Sequence, residues 1–418
     1  MERMSVGQWK RWDAVARIEA AKLTVKEAAE TLGLSARQVR RLRKAVAMRG
    51  RAALVHGNTG RAPANKTTEA VRKRIVALRR KTYVDFNDQH FAEKLAGEGE
   101  PIEVSTSTVR RVLRKAGVSA VRRRRPPRHR KRRDRREQAG MMLLWDGSRH
   151  DWLEGREPYL CLAGAIDDAT GALLPGAHFV DQECSAAYLR VLLAIVREHG
   201  VPWSAYMDQH SALKRNDPHW THAEELRGEQ DPTQVGRALK ALEVEAIYAL
   251  SPQAKGRVER LWGTLQDRLV SELRLAKAAS AVEANAVLER YRGEHNRRFA
   301  IPAKDSALAW RPVRRGIDLD RVCSFHYEAT VLKDNAVRVG GTLVLDIPPG
   351  PRGRSYADKR VEVRQLLDRG WRVYLGDQII ATAAPTEHDE LRALRRRKRG
   401  RGAVLDPPRH SEFAEAGV

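Results

Sequence analysis

Three acidic residues have the types and surroundings to do chemistry. Asp146 closes the apolar run Leu143-Leu144-Trp145 in LLWDGS, and Asp208 closes the run in AYMDQH. Each is expected at the end of a buried strand. Glu259 follows a short apolar strand over 245–250, then Ser251-Pro252 and Gly256, and is expected near the start of a helix. Val258, Trp262, Leu265, Leu269 and Leu273 recur at steps of three or four, so that helix has one apolar face with Glu259 at its edge. Three carboxylates on two strand ends and one helix make a candidate site for divalent metal ions. Taken singly, Asp146 and Asp208 also suit plain turn caps. Asp167 and Asp168 compete for the site, but the run DDATG favours a turn. Trp262 reads as a core residue. His210, close to Asp208, stays outside the ligand set, and His150 has no assigned role.

The order Asp146…Asp208…Glu259, with SPQAKGRVERLWGTLQDRL around the last acid, resembles the catalytic core of bacterial insertion-sequence transposases of the DDE class. These share the retroviral-integrase, ribonuclease-H-like fold. The resemblance covers roughly residues 141–298, and the PQ-x-KG-x-VER segment is its specific signal. It implies two Mg²⁺ ions, replaceable by Mn²⁺, with Asp146 bridging them, Asp208 on one and Glu259 on the other. Such ions activate an attacking oxygen and neutralise charge at phosphorus. Water would nick the element's ends and free a 3′-OH, which would then attack target DNA. Lys255, Arg257 and Arg260 surround Glu259 and are expected on the DNA backbone. Two ends must be handled together, so at least a dimer on DNA is implied. Two other readings stay open: a DNA-binding regulator derived from a transposase, and a structure-selective nuclease of the same fold.

Composition supports a nucleic-acid partner. The 418 residues carry a net charge of +25. Residues 1–140 hold 37 Lys/Arg against 14 Asp/Glu, whereas residues 141–390 hold 33 against 36. The basic surface is thus an N-terminal module, and the acids lie in a nearly neutral centre. Three cysteines with no close pair exclude a disulfide framework and a Cys-based zinc site. The zinc-binding His/Cys pattern of retroviral integrases is also missing. With no signal peptide or long apolar run, a cytoplasmic, nucleoid-associated protein with no membrane partner is expected.

The elements that must position these residues follow in order. Residues 1–55 read as a helix-turn-helix domain: Thr24 and Glu27 form a capping box, Gly33 permits the turn and Ser35 caps the second helix. Arg37, Gln38, Arg40, Arg41 and Lys44 are its candidates for double-stranded DNA. Residues 66–120 read as a second such domain, with Ser107, Thr108, Arg110, Arg111 and Arg114 along one side. Residues 121–140 form a basic linker. Eleven of the fifteen residues 122–136 are Lys or Arg, so an extended or disordered arm is expected, with Arg123, Arg124, Arg125 and Arg130 on DNA.

Residues 141–300 read as the ribonuclease-H-like core in the order βββαβαβα, which places the first and fourth strands side by side. The polar segment 216–232 reads as a surface loop. Residues 320–384 alternate and are punctuated by Gly340-Gly341 and Pro348-Pro349-Gly350, which suggests a small β-barrel. Residues 385–418 read as a basic, disordered tail. The fold class is therefore multidomain: helical helix-turn-helix domains, an α/β core and a C-terminal β domain.

Overall fold

The structure is a computed structural model that describes residues 4–56, 58–59, 66–97, 101–122, 133–215, 218, 220–249, 256–341, 343–387 and 390–391. Of the expected DNA contacts, Arg123, Arg124, Arg125, Arg130 and Lys255 lie outside the described residues, as does most of the basic tail. The chain divides into two compact units, Met1–Arg74 and Ile75–Val418. Among the described residues no helix is long and apolar enough to cross a membrane.

The first unit holds α1 (Val6–Glu19), α2 (Val25–Leu32) and α3 (Ala36–Arg49). Thr24 caps α2 reciprocally with Glu27, and Ser35 caps α3 reciprocally with Gln38. Gly33 takes the left-handed conformation, φ 62°, that a side chain would strain. Ala14, Ala28, Ala29 and Val39 form a small apolar centre. These features are the turn between two helices that the sequence reading expected.

The second unit opens within α4 (Glu69–Lys81) and continues with α5 (Asp88–Gly97) and α6 (Thr106–Lys115), capped by Ser105. The central domain follows: β1 (Met142–His150), β2 (Leu160–Asp167), β3 (His178–Val180), α7 (Ser185–Glu198), β4 (Ser204–Met207), α8 (His222–Arg227), α9 (Gln234–Ala241), β5 (Glu245–Tyr248), α10 (Gly256–Leu275) and α11 (Ala281–Phe299). The strand order is β3-β2-β1-β4-β5. β1 runs antiparallel to β2 and parallel to β4, and β4 runs parallel to β5. This is the arrangement expected of a ribonuclease-H-like core.

One face of the sheet, including Met142, Leu144 and Leu162, packs on Val258, Trp262 and Leu265 of α10 and on α11. The other face, including Leu143, Trp145 and Ala205, packs on α7 and α9. Helix α8 corrects the expected loop. Thr221 and Glu224 form a capping box there, and Glu224 is buried against Arg215 and the Asp231 amide.

The C-terminal part also departs from expectation. After α12 (Leu319–Val322) come β6 (Phe325–Thr330), β7 (Ala336–Val339), β8 (Leu343–Asp346), β9 (Arg360–Gln365), β10 (Trp371–Leu375) and β11 (Gln378–Ala383). They form a four-stranded sheet, β11-β10-β9-β6, and a separate β7–β8 hairpin, which share one core around Val337, Val363 and Trp371. No closed barrel exists among the described residues. The hairpin strands are four residues long and are followed by Pro348-Pro349, which have no amide to extend the ladder.

Helix α5 is tied to α10 by polar side chains. His90 Nε2 lies 2.6 Å from Glu272 Oε1, and Lys94 Nζ donates to Glu272 Oε2 at 2.9 Å. Arg268 Nη1 donates to Glu93 at 2.6 Å, Arg298 joins the same carboxylate, and Asn87 donates to Asp267. Burial pushes Glu272 up, but the hydrogen bonds from His90 and Lys94 outweigh it and hold the carboxyl below its usual range. Burial also lowers His90.

Both shifts act in one direction. The unfolded chain takes up protons at these groups more readily, so their stabilisation is full above about pH 6.5 and declines on acidification, first through His90 and then through Glu272. Glu272→Ala should cost about 2 kcal/mol in urea unfolding at pH 7, and less at pH 4.

Candidate active site

Strand β1 does not end at Asp146, as the sequence suggested, but runs on to His150. The reason lies in β2, which keeps pairing with it: Asp146 faces Gly164 and His150 faces Leu160. On the other side the parallel ladder pairs Met142 with Ser204 and Leu144 with Tyr206. Two residues further, the same register sets Asp146 beside Asp208, the residue that follows β4. Side chains alternate along a strand. Asp146 therefore shares the face of Met142 and Leu144, and Asp208 that of Tyr206, which is the face covered by α10.

Trp262 joins that helix to the pair. Its ring is buried, and its Nε1 donates to Asp146 Oδ2 at 3.1 Å. Sequence reasoning placed Trp262 in the core and missed this bond. Asp208 Oδ1 accepts the amide of His210 at 2.9 Å. Glu259 is exposed in the first turn of α10, three residues before Trp262. Residues three apart are neighbours on a helix surface, so the Trp262–Asp146 bond keeps the first turn of α10 near the pair.

A fourth acid, Glu183, was missed altogether. It precedes α7, and no spacing in the sequence marks it. A Cβ added to Gly147 would sit 2.7 Å from Glu183 Oε2 and 3.0 Å from Cys161 Sγ. The missing side chain is what lets Glu183 approach β1 next to Asp146. Tyr188 donates to Glu183 Oε1, and His210 Nδ1 lies 3.5 Å from the same oxygen. Burial raises the Glu183 pKa; Tyr188 and His210 oppose the rise, while Asp208 and Asp146 add to it. Burial first, then the charges of Glu183 and Asp146, pushes the Cys161 thiol up to about 12. Crowded carboxylates of this kind are the setting a hard divalent cation relieves. The donor chemistry fits such an ion. Among the described residues, however, no three His, Cys, Asp or Glu side chains are grouped so as to hold one metal ion.

Comparison with known proteins identifies the family. The chain is 32% identical over 415 residues to the transposase for insertion sequence IS1202 of Streptococcus pneumoniae, covering 87% of each chain. It is 35% identical over 406 residues to a Sinorhizobium fredii protein named transposase y4bF, covering 93% of this chain and 85% of that one. The chain belongs to the insertion-sequence transposases. A winged helix-turn helix family model matches residues 11–73. Among solved structures, the HTLV-2 integrase catalytic core in complex with magnesium is 16% identical with a TM-score of 0.25, covering 36% of this chain and 85% of that one. The simian T-cell lymphotropic virus intasome in complex with a PP2A regulatory subunit is 13% identical with a TM-score of 0.30, covering 75% and 100%. The fold assignment rests on the strand order given above.

Several expected DNA contacts in this transposase are engaged within the fold. Arg37, Arg40, Arg41 and Lys44 are exposed on α3, but Gln38 accepts the Ser35 amide at 2.9 Å and so serves the helix start. On α6, Arg110 and Arg114 both reach Asp88, and Arg114 also donates to the Val118 carbonyl. Arg111 is exposed, and the hydroxyls of Ser107 and Thr108 gather at Ser105. Arg257 turns inward to the buried carboxylate of Asp168, and only Arg260 of that pair stays exposed. Asp168 also accepts from Arg133 at 2.7 Å and from the Arg136 amide at 2.8 Å, so the end of the basic arm is anchored on the core. Asp167 holds the turn, accepting from Thr170 and the Gly140 amide.

The contact at Gly147 sets a prediction. Gly147→Ala should destabilise the protein by about 1–3 kcal/mol through overpacking. In a Glu183→Ala background the cost should shrink by more than half. A double-mutant cycle in urea checks this.

Proposed function

We propose that this transposase is an enzyme of the DDE class, with Asp146, Asp208 and Glu259 as its catalytic acids. The observation that carries the reading is the pairing of β1 with β4, which sets Asp146 beside Asp208 on the face where Trp262 ties down α10. Bound divalent ions, Mg²⁺ or in its place Mn²⁺, would activate the attacking oxygen and neutralise charge on the phosphate. Asp146 and Asp208 would hold them from the sheet, and Glu259 from the helix. Trp262 restrains the Asp146 carboxylate through one oxygen, and the His210 amide does the same for Asp208. Tyr188 and His210 keep Glu183 at the same edge.

In this reading the DNA-binding work falls to other parts of the chain. The α3 residues Arg37, Arg40, Arg41 and Lys44 present a basic, exposed row suited to a major groove. Arg111 on α6 and Arg260 on α10 would add backbone contacts. The ends of the insertion sequence would be nicked by water, and the freed 3′-OH would then attack target DNA. Both steps displace an oxygen at phosphorus, so one set of acids serves for both. Handling two ends requires at least two copies on DNA. The exposed position of Glu259 favours one rival, a DNA-binding relative that does not cleave.

Strand transfer with purified protein, Mg²⁺ and a labelled duplex carrying the terminal repeat decides between them. Asp146→Asn, Asp208→Asn and Glu259→Gln should each lower joining by at least about 10³-fold while leaving duplex binding intact, a loss on the scale of removing a key electrostatic group. EDTA should do the same. Binding without cleavage by the unaltered protein, in Mg²⁺ or Mn²⁺, would establish the rival.

A further inference from the structure

A cavity of about 230 Å³ lies against α10, α11 and the turn after β2. Arg257, Arg260, Leu261 and Thr264 line it and recur at steps of three and four, so they form one stripe of α10. Glu259 and Trp262 fall on other sides of the helix, so the cavity is separate from the acids. Arg135 and His295 complete its polar wall, with Phe299 beside them. Among the described residues, no carboxylate lines it.

The three guanidinium groups are unevenly occupied. Arg257 is held by Asp168 and by the Arg133 carbonyl. Arg135 donates one nitrogen to the carbonyls of Asp168 and Ala169. It fits there because Gly171, at φ 72°, has no side chain; a Cβ would sit 3.1 Å from its Nη1. Arg260 uses only Nε, on the Gly256 carbonyl at 2.9 Å. Burial, and next the charge of Arg257, lowers the Arg135 pKa.

His295 is the second, independent observation. It is 2% exposed, and among the described residues neither ring nitrogen has a hydrogen-bond partner. Phe299 packs 4.8 Å from its ring. Burial first, then Arg268, lowers its pKa to about 4, so at neutral pH it is a neutral imidazole with one N–H to donate. An unpaired buried donor is costly unless an acceptor arrives.

We propose that this cavity seats a backbone phosphate of DNA, with Arg260 and Arg135 supplying charge and His295 a neutral hydrogen bond. The proposal rests on the reading of the protein as a DNA-processing transposase. The volume suits one phosphate rather than a whole nucleotide, since pockets for drug-sized ligands start at roughly 300 Å³. The phosphate held here is not the reacting one. It would fix the strand on the far side of α10 from the acids.

The test uses the full-length protein and fluorescence anisotropy with terminal-repeat and unrelated duplexes across a potassium chloride series. Arg260→Gln should make the slope of log affinity against log salt shallower by about one, for both duplexes alike. His295→Leu keeps the volume and removes the donor. It should weaken binding about fivefold at fixed salt with the slope unchanged, while its Tm equals or exceeds that of the unaltered protein. Both variants matching the unaltered protein in slope and affinity would overturn the cavity assignment and leave the transposase reading standing. Failure of the unaltered protein to bind either duplex would overturn both. Inorganic phosphate is the second probe. If it raises the Tm of the unaltered protein but not of Arg260→Gln, while duplex slopes stay equal, the site takes free phosphate and the DNA assignment falls.

Discussion

The carboxylates of Asp146, in β1, and Asp208, just after β4, both push the Glu183 pKa up, and much of the central domain serves to keep them at that edge. The parallel ladder between β1 and β4 supplies the constraint. A strand buried on both faces cannot slip by one residue without exchanging the side chains fitted to its two faces. Leu143 and Trp145 on one face, with Met142 and Leu144 on the other, lock β1 in register. Asp146 is therefore placed by the packing of four apolar neighbours. Gly147, the next residue, leaves space for Glu183, which adds a third carboxylate to the same edge.

Helix α10 does several jobs along one length. Its apolar stripe covers the sheet, and Trp262 within that stripe reaches a catalytic candidate through a single polar atom. Its first turn carries Glu259. A different stripe faces the basic cavity, and its later turns hold α5 through Asp267, Arg268 and Glu272. A displacement of this helix would be felt at the acids, at the cavity and at the second helical module together, because rigid packed elements transmit small shifts.

Basic residues in this transposase do two kinds of work. Those on α3 face solvent, as a DNA-reading helix requires. Arg114, Arg133 and Arg257 instead neutralise buried or half-buried carboxylates of the fold. Arg133 and Arg257 share Asp168, which has no exposed surface; without them a charge would be left uncompensated in the interior. A high net charge is thus only partly available to a nucleic acid.

Local patterns in the sequence sufficed for what depends on neighbours in the chain. The capping pair Thr24–Glu27, the cap at Ser35, the turn at Gly33, the stripe of α10 and the turn at Asp167 all follow from contacts within a few residues. The adjacency of β1 and β4 came from the family resemblance, and the strand order bears it out. The helix at Thr221 carries its capping box in the sequence, but its polar surroundings hide any apolar period. Contacts across long separations could not be read this way. Glu183 meets Gly147 and His210, Trp262 meets Asp146 across 116 positions, and Arg257 finds Asp168 across 89. Whether the C-terminal strands close into a barrel depends on which edges pair, and alternation alone is the same for a closed and an open sheet. The sequence by itself determined which residues could be acids, caps and core; only the tertiary structure decided which acids meet and which arginines remain free, because charge is placed by packing between distant segments.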